Sequence, residues 1–116
     1  MNAFSGRAVV YYQTQKAGWL IKTSQGYVFT YDIAYRKNPK ARPISLSLPL
    51  RPEPYESQKL FSFFTGLLPE GWLLALTSRI AKIDPEDQFG LLLYTGRDPV
   101  GAVSVRPLEE EAHESS

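Results

Sequence analysis

Apolar residues recur along this chain with two periods, one typical of strands and one typical of helices. From Arg7 to Asp32 they form three short runs, which the polar stretch 13–16 and the turn 24–26 separate. In the run Tyr27–Tyr31 every second residue is aromatic, which is the period of a half-buried strand. The pattern predicts three antiparallel strands joined as a meander.

Two later segments are predicted to extend the sheet. Residues 44–50 alternate strictly between apolar side chains and Ser or Pro, which predicts a half-buried strand with Pro49 at its edge or end. Residues 100–105 also alternate, and they predict a last strand that closes back on the meander. The apolar face of the first of these strands would consist of Ile44, Leu46, Leu48 and Leu50.

The stretch 60–74 contains the strongest helix signals and organises the second half of the chain. Phe61, Phe64 and Leu68 are spaced at i, i+3 and i+7, which predicts the buried side of a helix. Pro69 ends that helix, because it lacks an N–H and restricts the preceding residue. A second helix is predicted from Gly71 to about Lys82, with this apolar stripe buried: Leu73, Leu76, Ile80 and Ile83.

Capping residues indicate where the other helices begin and end. Ser57, after a Pro-rich connector, is predicted to cap the helix that precedes Pro69. Asp84, followed by a Pro, predicts the start of a third helix that ends at Gly96 and buries Phe89, Leu92 and Leu93. Asp32 is predicted to cap a single helical turn.

These elements predict an α+β fold: an antiparallel sheet of about five strands with three helices packed on one face. A chain of 116 residues with 43% hydrophobic content is enough for one core, so we expect one domain over residues 1–108. Trp19, in mid-strand beside Ile21, is predicted to lie in that core. Residues 109–116 are charged or small, and we expect a disordered acidic tail.

Composition and charge exclude several classes of protein. The chain has no Cys, which excludes disulfides and Cys-based metal or redox sites. It lacks the profile of a signal peptide, and Gly and Pro interrupt its longest apolar stretch, so we expect a cytoplasmic protein without a membrane span. The net charge of +1 does not favour nucleic acid as a direct partner. One basic cluster leaves a nucleic-acid-binding module open as an alternative: Arg36, Lys37, Lys40 and Arg42.

The sequence contains no recognisable catalytic, metal or cofactor site. The single His, His113, lies in the predicted tail, and no pair of acidic residues has a spacing suited to a metal ion. Phosphate-binding glycine motifs and kinase motifs are absent. Ser45 and Ser47 have no His or Asp at a supporting spacing, while Glu86 and Asp87 suit the first turn of a helix. We therefore expect a protein without enzymatic activity and without a cofactor.

Three motifs resemble the N-terminal subdomain of HipA-like toxin kinases. They are residues 41–50 (ARPISLSLPL), 63–72 (FFTGLLPEGW) and 96–103 (GRDPVGAV), in the order and at about the spacing found in that family. The resemblance extends from about Val9 to Pro107. Full-length members of the family are serine/threonine kinases of bacterial toxin–antitoxin systems, with an ATP site beyond this subdomain. The resemblance therefore implies no catalytic residue in this chain.

The chain also resembles one component of the tripartite HipBST arrangement in this family. There the subdomain is a separate small protein, HipS, beside a shortened kinase, HipT, and a DNA-binding protein, HipB. The resemblance implies an antitoxin that binds and inhibits a HipT-like kinase, with a HipB-like protein as a candidate third component of the complex. The alternative is a structural subdomain of a full-length HipA-like kinase.

The corner between the two helices, residues 68–72, is the candidate partner interface. By helical geometry Trp72 falls about 60° to the side of the predicted buried stripe, and Leu74 lies further round. Trp72 either packs under the first helix or projects as an anchor, and Trp is a frequent hot-spot residue in protein interfaces. The resemblance favours the second placement, in which Trp72 projects as an anchor for a partner. The candidate interface residues are Trp72, Glu70, Gly71, Leu74 and Pro69.

Overall fold

The structure, a computed structural model, describes residues 6–97 and 101–108. Its five strands form one antiparallel sheet in the order β4-β3-β2-β1-β5. The strands are β1 (Arg7–Tyr12), β2 (Gln15–Thr23), β3 (Gly26–Tyr31), β4 (Tyr55–Ser57) and β5 (Val103–Pro107). The helices are α1 (Ile33–Lys37), α2 (Ser62–Thr65), α3 (Gly71–Ala81) and α4 (Gln88–Thr95). The α+β class is confirmed, with four described helices instead of three.

The predicted meander of β1, β2 and β3 is confirmed, and its register aligns the core residues across the sheet. Ala8 pairs with Leu20, and Leu20 pairs with Phe29. All three side chains are fully buried. The Phe29 ring lies 5.9 Å from that of Phe64 on α2, measured between centroids. The core thus lies between one face of the sheet and the segments that cover it.

Helix α4 supplies much of this cover, and its predicted buried side is confirmed. Phe89, Leu92 and Leu93 are all buried, and the helix ends at Gly96 as expected. Its start was predicted three residues too early. Asp87 is the N-cap, and its side chain accepts a hydrogen bond from the backbone N–H of Gly90 at 2.9 Å. Asp84 instead accepts from Glu86 N at 2.8 Å and closes a separate turn.

The strand predicted over residues 44–50 is wrong. The segment forms a turn, in which Ile44 and Leu48 are buried and Leu46 projects into solvent. The Ser45 hydroxyl accepts a hydrogen bond from Ser47 N at 3.2 Å, so a side chain satisfies a backbone donor that a sheet would otherwise bind. The alternation of apolar and polar residues correctly predicted that Ile44 and Leu48 are buried. It does not distinguish a strand from such a turn.

The edge of the sheet is formed by β4, which lies in the segment predicted as a Pro-rich connector. Ser57 pairs with Tyr27 in that strand, so it does not cap α2. Phe61 occupies the N-cap position of α2 without a side-chain hydrogen bond, and α2 is a single turn. At α1 the predicted cap is confirmed, because the Asp32 carboxylate accepts a hydrogen bond from Tyr35 N at 3.1 Å.

The prediction that Trp19 lies in the core is also wrong. Trp19 pairs with Val9 and with Thr30 and is partly exposed, whereas its neighbour Leu20 is buried. Side chains alternate along a strand, so Trp19 points to the sheet face opposite the core. Lys16 Nζ lies 5.6 Å from the centroid of its ring.

Two predictions concern residues that the structure does not describe. The acidic tail, residues 109–116, lies outside the described residues, and so does Val100, the first residue of the predicted last strand. The observed strand is β5, which begins at Val103 and ends at Pro107, and it closes back on the meander as expected by pairing with β1. Among the described helices, none combines the length and the apolar character that crossing a membrane requires.

Candidate protein-binding surface

The corner before α3 has a backbone conformation that favours glycine. Gly71 has a φ of +56°, in the left-handed region that residues with a Cβ rarely adopt. A Cβ at this position would meet nothing within 4 Å, so the backbone angle and not a lack of space favours glycine. The helix then begins with a hydrogen bond of 3.2 Å from Leu74 N to the carbonyl of Glu70. The chain thus turns sharply and immediately presents Trp72.

Helix α3 presents its large apolar side chains to solvent. Trp72 is 77% exposed, Leu73 47%, Leu76 41% and Ile80 64%. We call these four residues the exposed stripe. Their spacing of three and four residues places them on one side of the helix, over a length of about 12 Å. The prediction that Leu73, Leu76 and Ile80 form a buried stripe is therefore wrong.

The less exposed side of α3 carries Leu74 and several smaller residues. Ser78 is the one buried residue of this helix, and Thr77 and Ala81 beside it are half-buried. The Ser78 hydroxyl donates a hydrogen bond of 2.5 Å to the carbonyl of Ile83. The helix ends at Lys82, whose φ of 58° lies in the left-handed region. Periodicity thus predicted the helix correctly but assigned its more exposed side to the core.

An apolar cavity of about 570 Å³ lies next to the exposed stripe. Its walls come from the corner, from α3, and from the ends of α4 and β5. Leu73 belongs to both the cavity wall and the exposed stripe, so the two form one continuous apolar surface. The apolar side chains that line the cavity are Leu67, Leu68, Pro69, Leu73 and Val103.

The structure brings the predicted interface residues together at one end of α3, but on different sides of it. Trp72, Glu70 and Gly71 are exposed, and Pro69 is half-buried in the cavity wall. Leu74 is half-buried and lies two residues from Trp72, hence on the opposite side of the helix. Sequence reasoning missed Leu73, Leu76 and Ile80 as surface residues. A signal for them was present, because Leu74 placed apolar character on a second side of the same helix.

The chemistry of this surface suits the binding of another protein. Among the described residues there is no group of three His, Cys, Asp or Glu side chains that would hold a metal ion. The acidic residue of the corner, Glu70, is exposed and makes no capping hydrogen bond. In the basic cluster, Lys37, Lys40 and Arg42 are exposed on and after α1. The surface around α3 is distinguished instead by its exposed apolar side chains.

Comparison with known proteins relates the chain to one family. A family model described as the HipA N-terminal domain matches residues 8–106. A solved structure described as the N-terminal domain of HipA toxin has a TM-score of 0.65 and 27% identity, and the match covers 91% of this chain and 95% of that one.

Curated relatives fall into two lengths. An uncharacterised protein of Haemophilus influenzae is 34% identical over 102 residues, which are 88% of this chain and 91% of that protein. Two proteins of Sinorhizobium fredii, the putative kinases Y4mE and Y4dM, are 34% and 36% identical over 75% and 71% of this chain. The matched region is only 21% and 22% of their length. The fold thus occurs both in a protein of similar size and as about a fifth of longer proteins.

Proposed function

The chain belongs to the HipA N-terminal domain family, and we propose that it is an antitoxin that binds a HipT-like serine/threonine kinase toxin and inhibits it by protein–protein contact. The exposed stripe on α3 is the observation that carries this proposal. Large contiguous apolar surfaces on a small domain mark sites of protein contact. A Trp at the end of such a surface is a residue type that often dominates binding energy.

The lengths of the related putative kinases support a kinase as the partner. In the two Sinorhizobium putative kinases the matched region is about a fifth of the protein, so a similar domain is joined to a much longer chain. A domain that packs against the rest of such a chain carries a complementary surface for it. When the two parts are separate proteins, the same contact has to offset the entropy of association and becomes reversible. Reversible contact is what an inhibitor of a toxin requires.

Within the proposed interface, Trp72 is the central anchor. Pro69, Glu70 and Gly71 shape the corner that presents it, and Leu74 is half-buried on the opposite side of α3. The complex would include a HipB-like DNA-binding protein as a third component and would form in the cytoplasm. Residues 1–108 act as the binding domain, and residues 109–116 are a tail that folding does not require.

Co-expression with a HipT-like kinase tests the proposal. A tagged copy of this chain should retain the kinase through size-exclusion chromatography, and the purified chain should suppress kinase autophosphorylation at equimolar concentration. A kinase that remains fully active and elutes separately would contradict the proposal. A mixture with an unrelated serine/threonine kinase serves as the control for non-specific contact.

A structural subdomain of a longer HipA-like kinase is the second candidate, and the partial matches to the two putative kinases favour it. The two candidates differ in what the chain does in trans. A structural subdomain should raise the activity of a kinase core that lacks this domain, because it completes the fold. An antitoxin should lower it. Measuring kinase activity against increasing concentrations of this chain separates the two.

A further inference from the structure

The turn at residues 44–48 presents the most exposed large apolar side chain in the described part of the molecule. Leu46 is 96% exposed, while its neighbours Ile44 and Leu48 are buried in the core. Two buried side chains therefore hold the ends of the turn, and the third projects from its tip. The turn lies outside the exposed stripe of α3 and its cavity.

Hydrogen bonds fix the backbone of this turn. Leu48 N donates to the carbonyl of Ser45 at 3.0 Å, and Ser47 N donates to the Ser45 hydroxyl at 3.2 Å. The hydroxyls of Ser45 and Ser47 lie 2.9 Å apart. Each of these bonds closes the turn directly beneath Leu46. The side chain is thus carried by a backbone that is already ordered before any partner arrives.

One buried tyrosine bridges both ends of the turn. The hydroxyl of Tyr31, on β3, accepts a hydrogen bond from Ile44 N at 3.0 Å and donates to the carbonyl of Leu48. Tyr31 also packs edge-on against Phe29, with ring centroids 4.8 Å apart. The tip that carries Leu46 is therefore anchored to the central sheet, and its position relative to the domain is fixed.

From this geometry we infer that Leu46 is a second anchor for the kinase, separate from the exposed stripe; the inference rests on the proposed function. An apolar side chain on a rigid tip loses little entropy when it docks, so most of its burial contributes to affinity. Leu46 projects outward, so its partner must provide a concave apolar pocket. The kinase would then hold the domain at two places.

Size and family membership favour the kinase over other occupants. The longest dimension of the domain is 42 Å. A partner with a chain several times as long as this one is therefore large enough to contact both Leu46 and α3. The family match over residues 8–106 includes both places. In the putative kinases the remaining four fifths of the chain would supply such a partner.

The test measures the dissociation constant of the complex with the HipT-like kinase used for co-purification. Leu46→Ala should weaken binding about 10- to 50-fold, because it removes most of a leucine side chain from an apolar pocket. Its melting temperature should match the wild type, since the side chain makes no core contact. Ile33→Ala is the matched control: Ile33 is 60% exposed on α1, and binding should change less than about 2-fold.

A second variant tests the rigidity of the turn. Ser45→Ala keeps Leu46 but removes the hydroxyl that binds Ser47 N, so the tip becomes more mobile and binding should weaken about 3-fold. Normal affinity of Leu46→Ala, together with weakened binding of Trp72→Ala, would overturn this inference and leave the proposed function intact. A wild-type chain that does not bind the kinase would overturn both. Self-association that Leu46→Ala abolishes would identify a second copy as the occupant and also overturn it.

Discussion

At the scale of single residues, two buried tyrosines, Tyr31 on β3 and Tyr35 on α1, hydrogen-bond to the loop that follows α1. Tyr35 Oη donates to the carbonyl of Arg42 at 2.5 Å and accepts from Arg42 N at 3.3 Å, as Tyr31 does for Ile44 and Leu48. Burial raises the pKa of Tyr31 to about 12, and it raises the pKa of Tyr35 as well. Both phenols therefore stay protonated near neutral pH and can donate these hydrogen bonds.

Tyr31→Phe should destabilise the domain by about 1–3 kcal/mol, because Ile44 N and the Leu48 carbonyl lose a buried partner. Urea denaturation followed by circular dichroism measures this loss. Tyr12→Phe is a suitable control, since Tyr12 is only partly buried at the margin of the core. An unchanged midpoint for Tyr31→Phe would mean that water replaces the phenol without cost.

The raised pKa of Tyr31 predicts how the stability of the domain changes at alkaline pH. The pKa of Tyr31 is higher in the folded state than the ordinary value of 10.0. Its contribution to the free energy of unfolding is therefore complete below pH 10 and is lost as the pH rises from 10 towards 12. The midpoint of urea denaturation should fall over this range, and the fall should be smaller in Tyr31→Phe. Equal profiles for the two proteins would contradict this assignment.

Trp72 should matter far more for binding than for folding. Because 77% of its surface is exposed, truncation to Ala should leave the melting temperature nearly unchanged. Loss of a hot-spot Trp should cost about 2–4 kcal/mol of binding, or about 30- to 1,000-fold in the dissociation constant of the kinase complex. Calorimetry and thermal melting measure the two effects separately.

Trp19→Ala is the matched control for this experiment. Trp19 lies on the sheet face opposite the core and pairs with Val9 and Thr30, so its truncation should reduce stability but leave kinase binding intact. The anchor assignment fails if Trp72→Ala unfolds the domain or binds the kinase normally.

At the scale of the elements, α3 differs from α4 in what its apolar residues do. Phe89, Leu91 and Leu92 of α4 are fully buried, whereas α3 directs Trp72 and Ile80 to solvent. Both helices have apolar residues at helical spacing, so their sequences alone look alike. The difference is that the less exposed side of α3 carries the smaller residues Thr77, Ser78 and Ala81.

Polar substitution of the exposed stripe should therefore leave folding intact. The double variant Leu76→Ser, Ile80→Ser should melt within a few degrees of the wild type, because neither side chain is buried, while its affinity for the kinase should fall. Leu92→Ala, in the core, should by contrast cost about 2–5 kcal/mol of stability. A comparable loss in the double variant would show that α3 packs its stripe internally in solution.

At the scale of the whole molecule, the core lies on one face of the sheet, which other segments cover. The covered face packs against α2, α4 and the loop at residues 41–50, and it contains the core. The exposed stripe and the Leu46 tip belong to segments outside the sheet, and Val103 of β5 is the sheet residue in the wall of the adjoining cavity. The sheet thus acts as a rigid base, and the segments between its strands carry the candidate contacts.

The isolated chain should not bind or hydrolyse ATP. Its sequence has no phosphate-binding glycine motif, and the described residues have no cluster of metal-ligating side chains. Isothermal calorimetry with ATP and Mg²⁺ should therefore detect no heat of binding. Micromolar affinity would mean that the chain contains a nucleotide site, and would argue for a catalytic role.

The sequence by itself determined the parts of the fold that depend on local pattern and local chemistry. The meander of β1 to β3, the cap at Asp32, the buried side of α4 and the end of α4 at Gly96 were all predicted correctly. Each depends on neighbouring residues, through side-chain alternation, a capping carboxylate or a terminal glycine. The family was also identified from three motifs, because motifs are properties of the chain.

Some segments have a sequence pattern that fits two arrangements, and for these only the tertiary structure decided which apolar residues are buried. Residues 44–50 alternate as a strand does, but the Ser45 hydroxyl and the Tyr31 phenol from a distant strand stabilise a turn. Helix α3 has apolar residues on two sides, and the structure buries the side with Leu74 and Ser78 more than the exposed stripe. Trp19 fits the alternating pattern of a strand, but its side chain lies on the sheet face opposite the core. In each case burial depends on which distant segment covers the residue, and a local pattern contains no information about that.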